Sequence, residues 1–176
     1  MQPIIYDVAV STDGYIAAPG GDVSMFPTDE DVVQDYLARV GSYGAVLMGR
    51  NTYEFGYDYG LSPGDNPYPH ASSYVVSDTI DLTDDSSVQR IPVADLGQIA
   101  ALKRTANGPI YLCGGGVLAG ALLDHGLVDR MILKVAPVLI GGGTPLFGQA
   151  TRPKAIRQTD EHRYRSGVIL RTFDLT

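Results

Sequence analysis

Two stretches of this 176-residue chain share one form: an apolar run, a glycine turn and then a helix start. The first is Leu47-Met48-Gly49-Arg50-Asn51-Thr52-Tyr53. Gly49 permits close backbone approach, while Arg50 and Thr52 offer a guanidinium fork and a hydroxyl. Such groups at a helix N-terminus suit a phosphate ester. The second is Ile110-Tyr111-Leu112-Cys113-Gly114-Gly115-Gly116-Val117-Leu118. Three successive glycines let backbone N–H groups face a pyrophosphate with no Cβ in the way. Gly114, Gly116 and Gly120 do not have the dinucleotide-fingerprint spacing, and no Lys-Ser or Lys-Thr follows as in a Walker loop. A plain reading stands beside each: Arg50 solvated and Thr52 merely capping, or glycines that serve a turn. Gly141-Gly142-Gly143 is read as such a turn.

Other chemistries find no support. His70, His125 and His162 are scattered, without a ligand pair at helical spacing, so no metal site is expected. There is no G-x-S-x-G elbow for a serine hydrolase. Cys113, the sole cysteine, excludes an intramolecular disulfide and reads as a buried thiol at a strand end. Tyr53, Phe55, Tyr57, Tyr59, Tyr68 and Tyr74 crowd one Gly/Pro-rich segment. They could wall a planar substrate or simply pack the loop onto the protein.

The elements that must position these groups read as an α/β fold. Residues 4–10, 45–48, 73–77, 88–91, 110–113, 131–139 and 168–175 have the apolar, β-former-rich pattern of strands. Helices are expected after Thr28, over residues 95–104 and over 117–123. Thr28 is a candidate cap with Asp31 as its partner, ahead of an apolar face of Val32, Val33, Tyr36, Leu37 and Val40. Alternating strands and helices imply a mostly parallel sheet. Residues 139–168 show no helix, so the last strands are expected to pair antiparallel at one edge. With no repeat or linker, residues 1–176 read as one domain. A net charge of −7 offers no footprint for nucleic acid or an anionic membrane. No Lys or Arg precedes Arg39, and the apolar run 131–140 is too short for a membrane span and carries Lys134, so a soluble, cytoplasmic protein is expected.

The order of the motifs is itself informative. Ser11-Thr12-Asp13-Gly14-Tyr15-Ile16-Ala17 comes first, then Met48-Gly49-Arg50-Asn51-Thr52-Tyr53 and Val75-Val76-Ser77. Gly114-Gly115-Gly116 and Ala136-Pro137-Val138-Leu139-Ile140-Gly141-Gly142-Gly143 follow. Over nearly its full length the chain resembles the dihydrofolate reductase-like superfamily. It looks most like the branch holding the reductase domain of bifunctional riboflavin-biosynthesis proteins. The resemblance implies a three-layer fold on a mixed sheet of about eight strands, a homodimer, and a hydride-transferring reductase that uses NADPH. Carried over, Ala9 and Ile16 would lie by the nicotinamide. Gly49, Arg50 and Thr52 would hold the adenosine-side phosphates, with Asn51 in the same cofactor-binding turn, and Ser77 would border the adenosine. Gly114, Gly115, Gly116, Val117 and Leu118 would cradle the pyrophosphate, with a cis peptide joining Gly114 and Gly115.

Two departures bear on the substrate and the cofactor. True dihydrofolate reductases bind the pterin with a carboxylate on the first helix, where this chain has Val33, and they carry a tryptophan, which this chain lacks. The resemblance then implies a small pyrimidine- or pterin-like substrate, most like 5-amino-6-(5-phosphoribosylamino)uracil, or a relative of this branch with another substrate. The alternatives are dihydrofolate itself, or a nucleotide-binding module without catalysis. Asp78 would repel a ribose 2′-phosphate, so preference for NADPH over NADH rests on Arg50. The proton donor is expected at Asp13, just after the first strand, or at Asp31. Each has a plain alternative, Asp13 as a turn former and Asp31 as a helix cap.

Overall fold

The computed structural model describes residues 1–175. The apolar start forms β1 (Ile4–Ser11), and a turn at Gly14 leads into the short β2 (Tyr15–Ala17). Then come α1 (Glu30–Val40), β3 (Ala45–Gly49) and α2 (Arg50–Phe55). The aromatic segment leads to β4 (Ser72–Val76), β5 (Gln89–Ile91) and α3 (Leu96–Thr105). Next are β6 (Ile110–Leu112), α4 (Gly116–Asp124) and β7 (Arg130–Ala136). The chain closes with β8 (Thr144–Pro145), β9 (Ile156–Arg163) and β10 (Ile169–Leu175).

Eight strands form one mixed sheet in the order β5-β4-β3-β6-β1-β7-β10-β9, and β2 pairs with β8 in a second small sheet. The pairs from β5 to β7 are parallel, whereas β7–β10 and β10–β9 are antiparallel, as the sequence predicts. Alternation along each central strand sends successive side chains to opposite faces. Ile4, Leu47 and Leu112 pack under Ile99 of α3 and Leu122 of α4. Their neighbours Ile5, Val46 and Tyr111 face Val40 of α1 and the aromatic segment, with Tyr43 and Tyr53. The result is three layers, with helices on both faces of a sheet.

The structure departs from the sequence pattern in four places. α1 begins at Glu30 after Asp29, with no side-chain cap, and the Asp31 carboxylate accepts from the Val32 amide instead of reaching back to Thr28. Leu37, assigned to the buried face of that helix, is 58% exposed. The strand expected over 131–139 stops at Ala136, because Pro137 has no N–H to continue the ladder. β9 carries no strand signal in the sequence: Ile156–Arg163 is exposed throughout and, Ile156 apart, polar, an edge strand held by the β10 backbone.

Candidate active site

Because β1, β3, β4, β6 and β7 are mutually parallel neighbours, their carboxyl ends lie at one end of the sheet. Loops and helix starts converge there, and ligands of open α/β sheets bind there. The β3–α2 turn and the β6–α4 turn are adjacent, tied by a Cys113 amide that donates to the Leu47 carbonyl at 2.9 Å. A Cβ on Gly115 would stand 3.1 Å from Thr52 Oγ1, one on Gly114 would stand 3.4 Å from Thr52 Cγ2, and one on Gly49 would reach Leu118. The Gly114–Gly115 peptide is trans, not cis as expected. The chain turns instead through left-handed backbone at both glycines, φ +61° and +75°, which glycine alone adopts without strain. Among the described residues the amides of Gly114, Gly115 and Gly116 have no backbone or side-chain acceptor.

Not every glycine belongs to that cradle. Gly116 is buried, and a Cβ there would collide with the Pro145 carbonyl, as one on Gly120 would with that of Phe147. Their four-residue spacing lets α4 lie directly on residues 145–150, which is a packing role. Val117 is exposed at the helix start, and Leu118 packs towards the core. Arg50 is exposed, with Nε donating to Glu54 at 2.7 Å and Nη1 to Thr79 at 2.8 Å, and Asn51 beside it is exposed. Ser77 is buried, its Oγ accepting from the Thr79 and Ile80 amides at 3.0 Å, so it shapes the turn after β4. The Asp78 carboxylate accepts from the Val93 amide, and Arg90 donates to the Asp78 carbonyl.

β1 and β7 floor a small cleft of about 90 Å³, and the strand that pairs with the other edge of β1 is β6, which leads into the Gly114 turn. In register, Ala9 pairs with Lys134 and Ser11 with Ala136, so these side chains share the α1 face. Phe26, Pro27, Val33 and Tyr36 close the cleft over Ala9 and Lys134. Val33 therefore does face the cavity, as the resemblance to dihydrofolate reductases implies. Ile16 lies in β2 and is not among the residues that line it. A larger open depression, about 430 Å³, lies under the loop around Ile80, Thr83 and Ser86 and shares no lining residue with the cleft or the turns.

Lys134, which the sequence marks only as a charge in an apolar run, is the residue whose importance the structure reveals. Its Nζ sits 3.5 Å from the centroid of the Tyr36 ring, a cation–π contact, and 3.9 Å from Asp7 Oδ1. Asp7 is fully buried and already neutralised: Arg39 Nε donates to it at 2.8 Å and Tyr43 Oη at 3.3 Å. Burial disfavours the ammonium more than Asp7 supports it, and Lys134 is lowered to about 8. Tyr36 shares a hydrogen bond with Tyr111 at 2.8 Å, and burial raises it to about 12. Tyr68 bonds the Cys113 sulfur at 3.1 Å, and burial pushes that thiol up, away from nucleophilic use. Tyr53 is buried, accepting from Gly64 and donating to Asp65, so much of the aromatic segment is packing.

Neither carboxylate expected to donate a proton lies in the cleft. Asp13 is exposed, and it accepts from Ser11 Oγ at 2.6 Å and from the Ile140 and Gly141 amides. The Ser11 bond, with the Gly141 amide, lowers it to about 2, so it is an anion that fastens the end of β1 to the 140–141 loop. Asp31 is exposed at the start of α1.

The model of the family described as the RibD C-terminal domain matches residues 2–170. The chain belongs to this family. The uncharacterized protein YyaP of Bacillus subtilis (strain 168) is 29% identical over 178 residues, covering 94% of this chain and 91% of YyaP. A solved putative riboflavin biosynthesis protein from Shewanella sp. PV-4 superposes with a TM-score of 0.83 at 24% identity, over 99% of both chains. The diaminohydroxyphosphoribosylaminopyrimidine deaminase/5-amino-6-(5-phosphoribosylamino)uracil reductase of Thermotoga maritima gives 0.73 at 17% identity, over 99% of this chain and 57% of its own. At such identities the two solved structures share the fold with this family member. No helix among the described residues is long and apolar enough to cross a membrane.

Proposed function

We propose that this chain is a reductase of a pyrimidine- or pterin-like small molecule, with NADPH as cofactor and 5-amino-6-(5-phosphoribosylamino)uracil as the leading substrate. The observation that carries the reading is the close approach of Thr52 to Gly114 and Gly115, two glycine turns joined by the Cys113–Leu47 hydrogen bond at the end of the sheet that also holds the Ala9–Lys134 cleft. Family membership and the reductase activity in the name of the Thermotoga protein support the same conclusion.

The residues present fit a dinucleotide. Side chains at Gly114 and Gly115 would fill the space against Thr52, and their free amides suit a pyrophosphate. Thr52 Oγ1 adds a donor, and Arg50, which bonds Glu54 and Thr79, would meet a phosphate ester on the adenosine side. Gly116 contributes its amide while its α-carbon serves the packing of α4. When bound, the cofactor supplies the hydride; the protein supplies orientation and a dry apolar slot. Tyr36 and Phe26 offer ring surface to a planar heterocycle, and Val33 leaves no carboxylate to grip a pterin.

Calorimetry with NADPH and NADH, followed by oxidation assays with the ribosylaminopyrimidine and with dihydrofolate, tests the reading. NADPH binding with pyrimidine-dependent oxidation supports it. Faster turnover of dihydrofolate would reassign the substrate, and binding without any turnover would leave a nucleotide-binding module. Arg50→Ala is expected to weaken NADPH roughly tenfold or more while hardly changing NADH, the loss of one charge-assisted phosphate contact. Equal losses would remove Arg50 from the 2′-phosphate.

A further inference from the structure

We infer that Lys134 is the catalytic acid of the cleft and the anchor for the electron-rich heteroatom of the group being reduced. The inference rests on the proposed reductase reading and assigns a step that neither glycine turn can perform. Two cleft-lining side chains carry an ionisable proton, Lys134 and Tyr36; the rest, including Ala9, Phe26, Pro27 and Val33, are apolar. Tyr36 is committed to Tyr111 and has too high a pKa to give up its proton near neutrality. Asp13, the donor first expected from the sequence, is a bonded anion outside the cleft.

The surroundings of Lys134 suit proton donation. From β1, Asp7 faces it at 3.9 Å, too far for a close ion pair, and Asp7 is engaged more tightly by Arg39 and Tyr43 of the α1 side. Tyr36 of α1 offers its ring face, and Cys113 at the end of β6 is a neutral neighbour pushed above its usual range. Arg39 adds a like charge that opposes protonation. Lys134 thus holds a proton at neutral pH without a partner that clamps it, and a general acid works best when its pKa lies near the operating pH. As the carbon of a C=N or C=O group gains hydride from a reduced dihydronicotinamide, its π-electron pair moves to the heteroatom. That heteroatom takes a proton from the ammonium, whose N–H bonding pair stays on nitrogen. The products are an amine or alcohol, an oxidised nicotinamide and a neutral Lys134, which regains its proton from water.

Three proteins decide the matter: wild type, Lys134→Met and Lys134→Arg. Both variants keep the Asp7–Arg39 pair, and circular dichroism checks that they fold. The chain has only the lysines Lys103, Lys134 and Lys154, so the resonance lost in K134M assigns Lys134 in side-chain nitrogen NMR. That resonance is expected to titrate near pH 8 in the wild type. Calorimetric NADPH affinity should be unchanged in both variants. Turnover at pH 7 should fall by about 100-fold or more in K134M. The wild-type rate should decline above pH 8, and K134R, whose guanidinium keeps its proton, should be slow with no such decline. If K134M turns over at the wild-type rate, or Lys134 titrates as an ordinary lysine, the assignment is overturned while the reductase reading stands. If wild type binds no NADPH, the reductase reading fails and the assignment with it.

Discussion

Asp13 illustrates how little a residue's type says about its use. In sequence it is a carboxylate at the mouth of an expected cleft. In the fold its oxygens accept from Ser11, Ile140 and Gly141, holding two loops together. Its pKa is depressed to about 2, so the carboxylate stabilises the fold above its unfolded pKa near 4 and the contribution disappears as pH falls towards 2. Asp13→Asn should therefore melt lower than wild type at pH 7, and the two melting curves should converge as the pH approaches 2. A gap that is constant with pH would assign the effect to lost shape instead of lost charge. Lys134 is the opposite case. A lone lysine in an apolar strand looks like an interruption, and only its register beside Ala9 and its seat on Tyr36 make it a candidate acid.

Helix α4 and the turn before it divide one glycine run between two tasks. Gly114 and Gly115 shape the cradle against Thr52, while Gly116 and Gly120 let the helix contact the Pro145 and Phe147 carbonyls. In an exposed helix, Gly→Ala stabilises by up to about 1 kcal/mol. At Gly120 that gain is opposed by a Cβ driven into backbone that cannot move aside, an overpacking cost of roughly 1–3 kcal/mol. Gly120→Ala is therefore expected to lower stability in urea denaturation, with cofactor affinity affected less than by Gly115→Ala. A stabilised Gly120→Ala would mean that α4 and residues 145–150 do not pack closely. α1 shows a milder mismatch: its buried side is Val32, Tyr36 and Val40, and Leu37 is left to water.

Across the whole molecule, β1 lies where the connections diverge. The chain passes from β1 through α1 to β3 on one side, then from β6 through α4 to β7 on the other. That crossing brings residues 9, 50, 52, 115 and 134 to one end of the sheet, although they are far apart in the chain. A ligand gripped by all of these segments binds only the folded state. NADPH at a hundredfold excess over its Kd should thus add about 2.7 kcal/mol of stability, read as a raised Tm in thermal scans. No shift at saturating NADPH would mean that the joined turns do not form its site.

The central strands, the two glycine turns and the antiparallel C-terminal edge were legible because apolar alternation and glycine punctuation are local signals. β9 was not, since a polar edge strand takes its conformation from the strand it pairs with. That Val33 stands where dihydrofolate reductases carry a carboxylate followed from the resemblance, and the structure sets that side chain in the cleft wall. Tertiary structure decided which ionisable groups matter. Burial, register and competing partners set Lys134 against Asp7 and Tyr36 and tied Asp13 to the 140–141 loop, and those depend on neighbours 98 to 128 residues away.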